Sequence, residues 1–179
     1  MRYLVVSDIH GSEDSAEKVK ALFETKKYDK IICLGDLLYH GPRNDIPKNY
    51  NPKKVISIFN KLKDNILMVQ GNCEAYVDSM VLDFPYFESS ALDYNGIMIY
   101  MTHGHFINPE HPLNVSSGVV LYGHTHIYKK TLVDSVLYLN PGSMTLPKEG
   151  TSRSYGEIVD STFRVFDLED NLIFEVKLK

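Results

Sequence analysis

Apolar residues in the first half of the chain occur as short runs separated by stretches with helical spacing. The short runs are rich in β-branched residues and predict buried strands at 2–7, 30–34 and 66–70. Between the first two runs, apolar positions recur at helical spacing over 12–26, where Ser12 is suited to cap the helix. A second helix is predicted over 52–63, with Pro52 in its first turn. This alternation of strands and helices indicates an α/β protein.

The second half of the chain contains shorter strands that are separated by turns. Segments 91–94 and 96–102 flank Asn95-Gly96, a strong hairpin turn signal. Further strands are predicted at 119–122, 128–133, 136–139, 163–167 and 172–178. We expect mostly antiparallel pairing among them. The whole pattern predicts one domain over residues 1–179, a four-layer α/β/β/α sandwich of two mixed sheets flanked by helices.

Composition narrows the function classes without selecting one. Of the 179 residues, 44% are hydrophobic and 23% are charged, as in soluble globular proteins. No apolar run is long enough to cross a bilayer, and no cationic, apolar signal segment opens the chain. Two cysteines, Cys33 and Cys73, fit a reducing compartment, so we expect a cytoplasmic protein without a membrane partner. The net charge of −4, without a dense basic stripe, gives no strong signal of nucleic-acid binding.

Polar side chains follow the predicted strands at the points where the strands end. In open α/β sheets ligands gather outside the carboxyl ends of strands, so we expect these side chains to converge. Their nitrogen and oxygen donors suit manganese, iron, zinc, nickel or cobalt rather than a thiolate-rich structural zinc site. Each fragment alone also fits a helix cap, a turn or a structural histidine, but five in order are hard to attribute to chance. The residues are Asp8, His10, Asp36, Asn72, His103, His124 and His126.

These residues lie in five short motifs that together resemble the five blocks of calcineurin-like metallophosphoesterases. A Gly-Asn-Cys-Glu block at 71–74, the loop 40–44 and Asn-Pro-Gly-Ser at 140–143 are, in addition, similar to small bacterial YfcE-like phosphodiesterases. The resemblance runs from Asp8 to about Tyr155, which is most of the chain. The motifs are Asp8-x-His10, Gly35-Asp36, Gly71-Asn72, His103-Gly-His105 and Gly123-His124-x-His126.

The resemblance implies a hydrolase with two divalent metal ions, for which manganese is preferred over iron, zinc, nickel or cobalt. It implies that a metal-bridging hydroxide attacks a small-molecule phosphodiester in line, without a covalent phosphoenzyme. Asp36, Asn72 and Cys73 are the catalytic residues that it implies, and Asp36 would bridge both ions. One ion would be held by Asp8, His10, Asp36 and His126, and the other by Asp36, Asn72, His103 and His124.

Cys73 departs from the usual pattern of this family, in which a histidine follows the asparagine and protonates the leaving oxygen. A thiol with a pKa of about 8.5 donates a proton poorly, so activated, aryl-like diesters are the expected substrates. His40 and His105 are alternative substrate contacts or proton donors, although supporting or surface roles fit them equally. Arg43 is expected to clamp a phosphate at the mouth of the site, with an exposed loop arginine as the alternative.

Several alternatives stay open at this point. Within the same fold, the enzyme could be a nucleotide pyrophosphatase, a phosphomonoesterase or a protein phosphatase. A retromer-subunit-like scaffold without catalysis would carry degraded metal ligands, whereas all seven positions here hold competent donors. A cupin-like protein with one metal at His103-x-His105 would be all-β, against which the two predicted helices argue. The sequence leaves the physiological substrate and assembly into a homo-oligomer undecided.

Overall fold

The computed structural model describes residues 1–179 and contains two α-helices and twelve β-strands. The helices are α1 (Glu13–Lys26) and α2 (Pro52–Lys61), and short 3-10 turns lie at Lys63–Asn65 and Tyr76–Met80. The strands are β1 (Tyr3–Val6), β2 (Lys30–Cys33), β3 (Ile66–Val69), β4 (Tyr86–Phe87), β5 (Ser89–Tyr94), β6 (Ile97–Thr102), β7 (Gly118–Leu121), β8 (Tyr128–Val133), β9 (Val136–Pro141), β10 (Ser154–Val159), β11 (Thr162–Asp167) and β12 (Leu172–Lys177).

The strands form two mixed sheets, which confirms the predicted fold class. The seven-stranded sheet has the order β12-β11-β10-β1-β2-β3-β4, with β1 to β4 parallel and β10 to β12 antiparallel. The five-stranded sheet has the order β5-β6-β7-β9-β8. Its strands β6, β7 and β9 are parallel, which corrects the expectation of mostly antiparallel pairing in this half. The cause is the long crossing segment 103–117. It carries the chain from the end of β6 back to the level at which β6 begins, so β7 runs in the same direction as β6.

Both helices begin and end where local chemistry directs them. The Ser12 hydroxyl accepts a hydrogen bond from the Ser15 amide at 3.4 Å and caps α1, as predicted. Asn51 caps α2 in the same way through the Lys54 amide at 3.3 Å, and Pro52 lies in the first turn. Neither helix is both long and apolar enough to cross a lipid bilayer.

Alternate residues of the central strands face two different hydrophobic layers. Leu4 and Val6 of β1 pack with buried residues of α1 and α2, whereas Val5 packs between the two sheets. The outer face of the five-stranded sheet is covered by Leu113 and Val115 of the segment 103–117, which contains no helix. Burial on both faces fixes the register of the central strands, and it thereby fixes the edge at which they end.

Candidate metal centre

The seven predicted metal ligands meet at the edge where strands of both sheets end. Asp8, Asp36 and Asn72 lie two or three residues after the ends of the parallel strands β1, β2 and β3 of the seven-stranded sheet, and His10 follows Asp8. The three histidines from the second half follow β6 and β7, which are parallel to each other in the five-stranded sheet. Parallel strands deliver their carboxyl ends to the same side, so two sheets supply one cluster.

A first group of donor atoms comes from Asp8, His10, Asp36 and His126. His10 Nε2 lies 3.1 Å from His126 Nε2 and 3.6 Å from Asp8 Oδ1. Asp8 Oδ1 is 3.3 Å from His126 Nε2, and Asp36 Oδ2 is 3.7 Å from His10 Nε2. Ligand atoms that each lie about 2.1 Å from one ion are about 3.0 to 3.4 Å apart. Two of the four distances lie in this range and two are slightly longer, so the group is close to the spacing of a shared cation.

A second group lies directly beside the first and shares one oxygen with it. His103 Nε2 is 3.3 Å from Asp36 Oδ2 and 3.1 Å from Asn72 Oδ1. His124 Nδ1 lies 3.2 Å from the same His103 nitrogen. Asp36 Oδ2 therefore faces both groups, while Asp36 Oδ1 accepts a hydrogen bond from the Cys73 amide at 2.9 Å. Only one oxygen of this carboxylate is free for cations.

Three of the histidines are oriented by main-chain carbonyl groups. The Nδ1 atoms of His10, His103 and His126 lie 2.8, 2.7 and 2.6 Å from the carbonyl oxygens of Tyr39, Leu34 and Leu146. An Nδ1–H that donates to a carbonyl leaves the lone pair of Nε2 directed into the centre. This is the usual support of a metal-binding imidazole.

The carboxylates at the centre stabilise positive charge on the groups around them. Burial lowers the pKa of His103, but its hydrogen bond to Asp36 and the charges of Asp8 and Asp36 outweigh burial and raise the pKa to about 9. Burial raises the pKa of Asp36, and the hydrogen bond from His103 outweighs it and holds the pKa below its usual range. The carboxylates thus stay ionised and attract positive charge.

The donor set passes a direct test of its fit to a metal. Asp8 Oδ2 accepts hydrogen bonds from the Ser7 hydroxyl at 2.6 Å and the His124 amide at 3.1 Å. Asp8 Oδ1 is buried and has no hydrogen-bond partner. A buried carboxylate oxygen without a partner costs roughly 1–3 kcal/mol or more, and a cation among these donors would remove that cost.

Five of the seven predicted ligands have a left-handed backbone. The φ angles are 56° for Asp8, 50° for His10, 56° for Asp36, 67° for His124 and 62° for His126. Each such conformation costs on the order of 1 kcal/mol outside glycine and persists where the surroundings fix it. Clustering of this strain at one place is typical of a functional site.

Close backbone approach explains one glycine beside these ligands. A Cβ at Gly71 would lie 2.1 Å from Asp36 Oδ1 and 2.4 Å from the Asp36 amide nitrogen, so no side chain fits there. Glycine precedes Asn72 because the two chain segments meet closely at this point.

Glu74 supports the centre, although the sequence analysis gave it no role. Its buried carboxylate accepts hydrogen bonds from the amides of Leu37 at 2.6 Å, Asp36 at 2.9 Å and Gly71 at 2.5 Å. Burial, together with the charge of Asp36, raises the pKa of Glu74 to about 7. Glu74 ties the end of β2 to the end of β3. The available signal was its place in the Gly-Asn-Cys-Glu block.

An open cleft with a volume of about 400 Å³ leads to both groups. Cys73 lines it, and burial, followed by the charge of Asp36, raises the pKa of its thiol to about 12. Arg43 also lines it and is exposed. The lining residues are Asp36, Tyr39, Gly41, Pro42, Arg43, Asn44, Asn72, Cys73, Ala75, His124, His126 and Lys148.

The structure does not bring His40 and His105 into this cleft. The His40 ring packs edge-on against Tyr39 and Tyr50, with ring centroids 4.7 and 5.2 Å away. The His105 ring lies 5.5 Å from that of His103 and borders a separate pocket of about 590 Å³. His124 lines both this pocket and the cleft.

Known proteins share both the sequence pattern and the fold of this chain. The sequence profile of the calcineurin-like phosphoesterase superfamily domain matches residues 1–161. The chain is 36% identical to phosphodiesterase YfcE of Escherichia coli, over 97% of this chain and 95% of that protein. It is 22% identical to the probable metallophosphoesterase YsnB of Bacillus subtilis, over 99% of this chain and 97% of that protein.

Solved structures extend the likeness. The Escherichia coli phosphoesterase YfcE superposes with a TM-score of 0.96 at 34% identity, and the match covers 100% of both chains. Vps29 of Chaetomium thermophilum superposes with a TM-score of 0.68 at 18% identity, over 100% of this chain and 99% of that one. At that identity the likeness to Vps29 shows a common fold alone.

Proposed function

The chain belongs to the calcineurin-like phosphoesterase superfamily, and on this premise we propose that it hydrolyses small-molecule phosphodiesters with two divalent metal ions. The observation that carries the proposal is the pair of donor groups that share Asp36 Oδ2. Manganese is the proposed metal, and iron, zinc, nickel and cobalt can use the same nitrogen and oxygen donors. We also propose a cytoplasmic location, because both cysteines are free thiols.

The protein side chains would divide the work as follows. One ion would bind Asp8, His10, Asp36 and His126, and the other would bind Asp36, Asn72, His103 and His124. The ions would supply an activated water nucleophile and would neutralise charge on the nonbridging phosphate oxygens. The Cys73 amide holds Asp36 Oδ1, so a single carboxylate oxygen is left for both ions. Carbonyl-bound imidazoles keep their geometry during turnover.

Cys73 would give the leaving group little help. Burial raises the pKa of its thiol and keeps the proton on sulfur through neutral pH, and such a weak acid protonates a leaving oxygen slowly. His40 lies outside the cleft lining. Esters whose leaving group is stable as an anion, such as aryl esters, are therefore the proposed preferred substrates.

Two pockets beside the centre favour a diester over a monoester. The cleft and the pocket of about 590 Å³ both border His124. The second pocket offers His105, Asn108 and Lys129 as polar contacts. A phosphodiester has two organic arms, and each pocket could take one, whereas a monoester would leave one pocket empty.

The test compares two substrates with the same leaving group. The protein is stripped of metals with a chelator, reloaded with each of the five metals, and assayed on bis(p-nitrophenyl) phosphate and p-nitrophenyl phosphate. We expect hydrolysis only after reloading, with kcat/KM for the diester higher by about tenfold, or 1.4 kcal/mol. Equal or faster monoester hydrolysis would favour a phosphomonoesterase or protein phosphatase, and ADP cleavage in preference to both would favour a nucleotide pyrophosphatase.

One alternative outside the enzymes has an observation in its favour. The common fold with Vps29 fits a retromer-subunit-like scaffold that binds proteins without catalysis. The complete set of seven donors and the left-handed backbone that presents five of them weigh against it. A metal-loaded protein that hydrolyses none of the three substrates would favour the scaffold.

A further inference from the structure

The cleft carries two cations that the metal chemistry does not use. Arg43 and Lys148 line it from two different loops, one after β2 and the other between β9 and β10. We propose that Arg43 and Lys148 form an anion subsite that selects phosphodiesters bearing a second phosphate group on the arm in the cleft. This inference rests on the proposed function, because it takes the scissile phosphate to lie at the two donor groups.

Lys148 is held by the loop that supports a predicted metal ligand. His126 Nδ1 lies 2.6 Å from the Leu146 carbonyl oxygen, and the Lys148 amide donates to the His126 carbonyl at 3.4 Å. The Thr151 amide donates back to the Lys148 carbonyl at 3.0 Å and closes the turn. Pro147 restricts the backbone directly before Lys148. The backbone of Lys148 is thus fixed relative to His126, and its side chain begins at a set position beside the cleft.

Arg43 lies in an equally constrained loop on the Cys73 side. Gly41 has a φ of 84°, and a Cβ there would lie 2.9 Å from Cys73 Sγ, so the loop lies directly on the thiol. The Asn44 side chain donates to the His40 carbonyl at 2.7 Å and closes the loop on itself. Pro42 precedes Arg43, as Pro147 precedes Lys148.

Charge on the cleft wall exceeds what a diester with neutral arms requires. Such a diester has one negative charge, which the metal ions would meet. Asp36 is the only carboxylate in the lining, and its free oxygen faces the donor groups. Arg43 and Lys148 form no side-chain ion pair, in contrast to Arg153, which pairs with Asp14 at 2.8 Å. Two free cations complement a second anion, and a phosphate matches both the fork of Arg and the point charge of Lys.

The experiment measures binding, so it does not depend on turnover. Calorimetry gives the Kd of the manganese-loaded protein for adenosine 3′,5′-bisphosphate and for adenosine 5′-monophosphate. We expect the bisphosphate to bind about tenfold more tightly, since its second phosphate would accept charge-assisted hydrogen bonds from both cations. Lys148→Ala and Arg43→Ala should each remove most of this preference, and higher salt should reduce it in the unmodified protein.

A matched control separates recognition from general charge. Lys53 is exposed on α2, outside the cleft, so Lys53→Ala removes the same charge and should keep the full preference. If Lys148→Ala and Lys53→Ala give the same ratio of dissociation constants, the two cleft cations are merely solvated and the subsite is overturned. If the proposed function itself is wrong, the metal-loaded protein will not hydrolyse diesters, whereas the ratio of the two dissociation constants can still be measured.

Discussion

The two donor groups of the centre differ in how far they are closed to solvent. Asp8, His10 and His126 of the first group are at most 2% exposed. In the second group, Asn72 is exposed and His124 is half-buried, and both line the cleft. The first group is therefore the more buried of the two, although His126 also borders the cleft, and the second group is the more open to solvent. We infer that, of the two proposed ions, one would be held chiefly by the fold and the other would chiefly serve the reaction.

Removal of the shared oxygen, Asp36 Oδ2, should weaken metal binding at both donor groups. In Asp36→Ala both sites lose a ligand, so we expect metal content to fall from two ions to less than one. Turnover of an aryl diester should fall by about a thousandfold or more, or roughly 4 kcal/mol. Metal analysis by mass spectrometry and steady-state kinetics measure the two effects.

The control for this change is Asp45→Ala, which removes an exposed carboxylate from the loop that follows Asp36. It should keep both ions. Retention of two ions and full turnover in Asp36→Ala would contradict the shared carboxylate and, with it, the assignment of both groups.

Substitution of a ligand that belongs to only one donor group should weaken only one of the two classes of metal site. Asn72→Ala should weaken the looser of two classes of metal site by about ten- to hundredfold and leave the tighter class in place. His126→Ala should instead weaken the tighter class, because it lies in the closed group. Calorimetric titration of manganese into the stripped protein resolves the two classes. Equal weakening of both classes by either variant would show that the groups do not bind separately.

Substitution of Cys73 tests whether a residue beside the second donor group supplies a proton to the leaving group. Loss of a true general acid costs about a hundredfold or more, chiefly with poor leaving groups. Because burial raises the pKa of the thiol, we expect Cys73→Ser to slow hydrolysis of an alkyl diester by only about threefold. A hundredfold loss that is absent with an aryl ester would instead make Cys73 the proton donor.

The last prediction concerns Glu74, whose carboxylate supports the shared residue Asp36. Glu74→Gln leaves one carbonyl oxygen for the three amides that the carboxylate now binds. We expect urea denaturation to show that the free energy of unfolding falls by about 1–2 kcal/mol. Glu24→Gln on the exposed face of α1 is the matched change and should alter stability by less than about 0.5 kcal/mol. Equal stability of the two variants would exclude a supporting role.

Much of the fold followed from local patterns, and the failures have identifiable causes. Helix α1 begins after Ser12 as predicted, because the cap and the apolar spacing are both local. Strand β10 was missed because Ser154, Gly156 and Glu157 interrupt its apolar run, and its complete burial leaves no alternation to mark it. Its Glu157 is buried through a hydrogen bond from the Tyr28 hydroxyl at 2.6 Å, a partner 129 residues away.

Some residues of the candidate site could likewise be predicted from local sequence, whereas others could not. Asp8, Asp36 and Asn72 could be placed because strand ends are visible in the sequence, and the structure brings their side chains together with the histidines. Glu74 and Lys148 could not be placed, because their positions depend on how separate loops pack. The parallel course of β6, β7 and β9 likewise depends on contacts between distant segments.

The left-handed backbone at five donor positions limits how this centre can be changed. Outside glycine, asparagine, aspartate and histidine adopt this conformation several times more readily than other residues, and β-branched residues hardly adopt it. A redesign that exchanges Asp8 or His10 for cysteine or glutamate would meet a conformational cost before any question of coordination arose. The main chain thereby favours carboxylate and imidazole donors at these positions over softer ones.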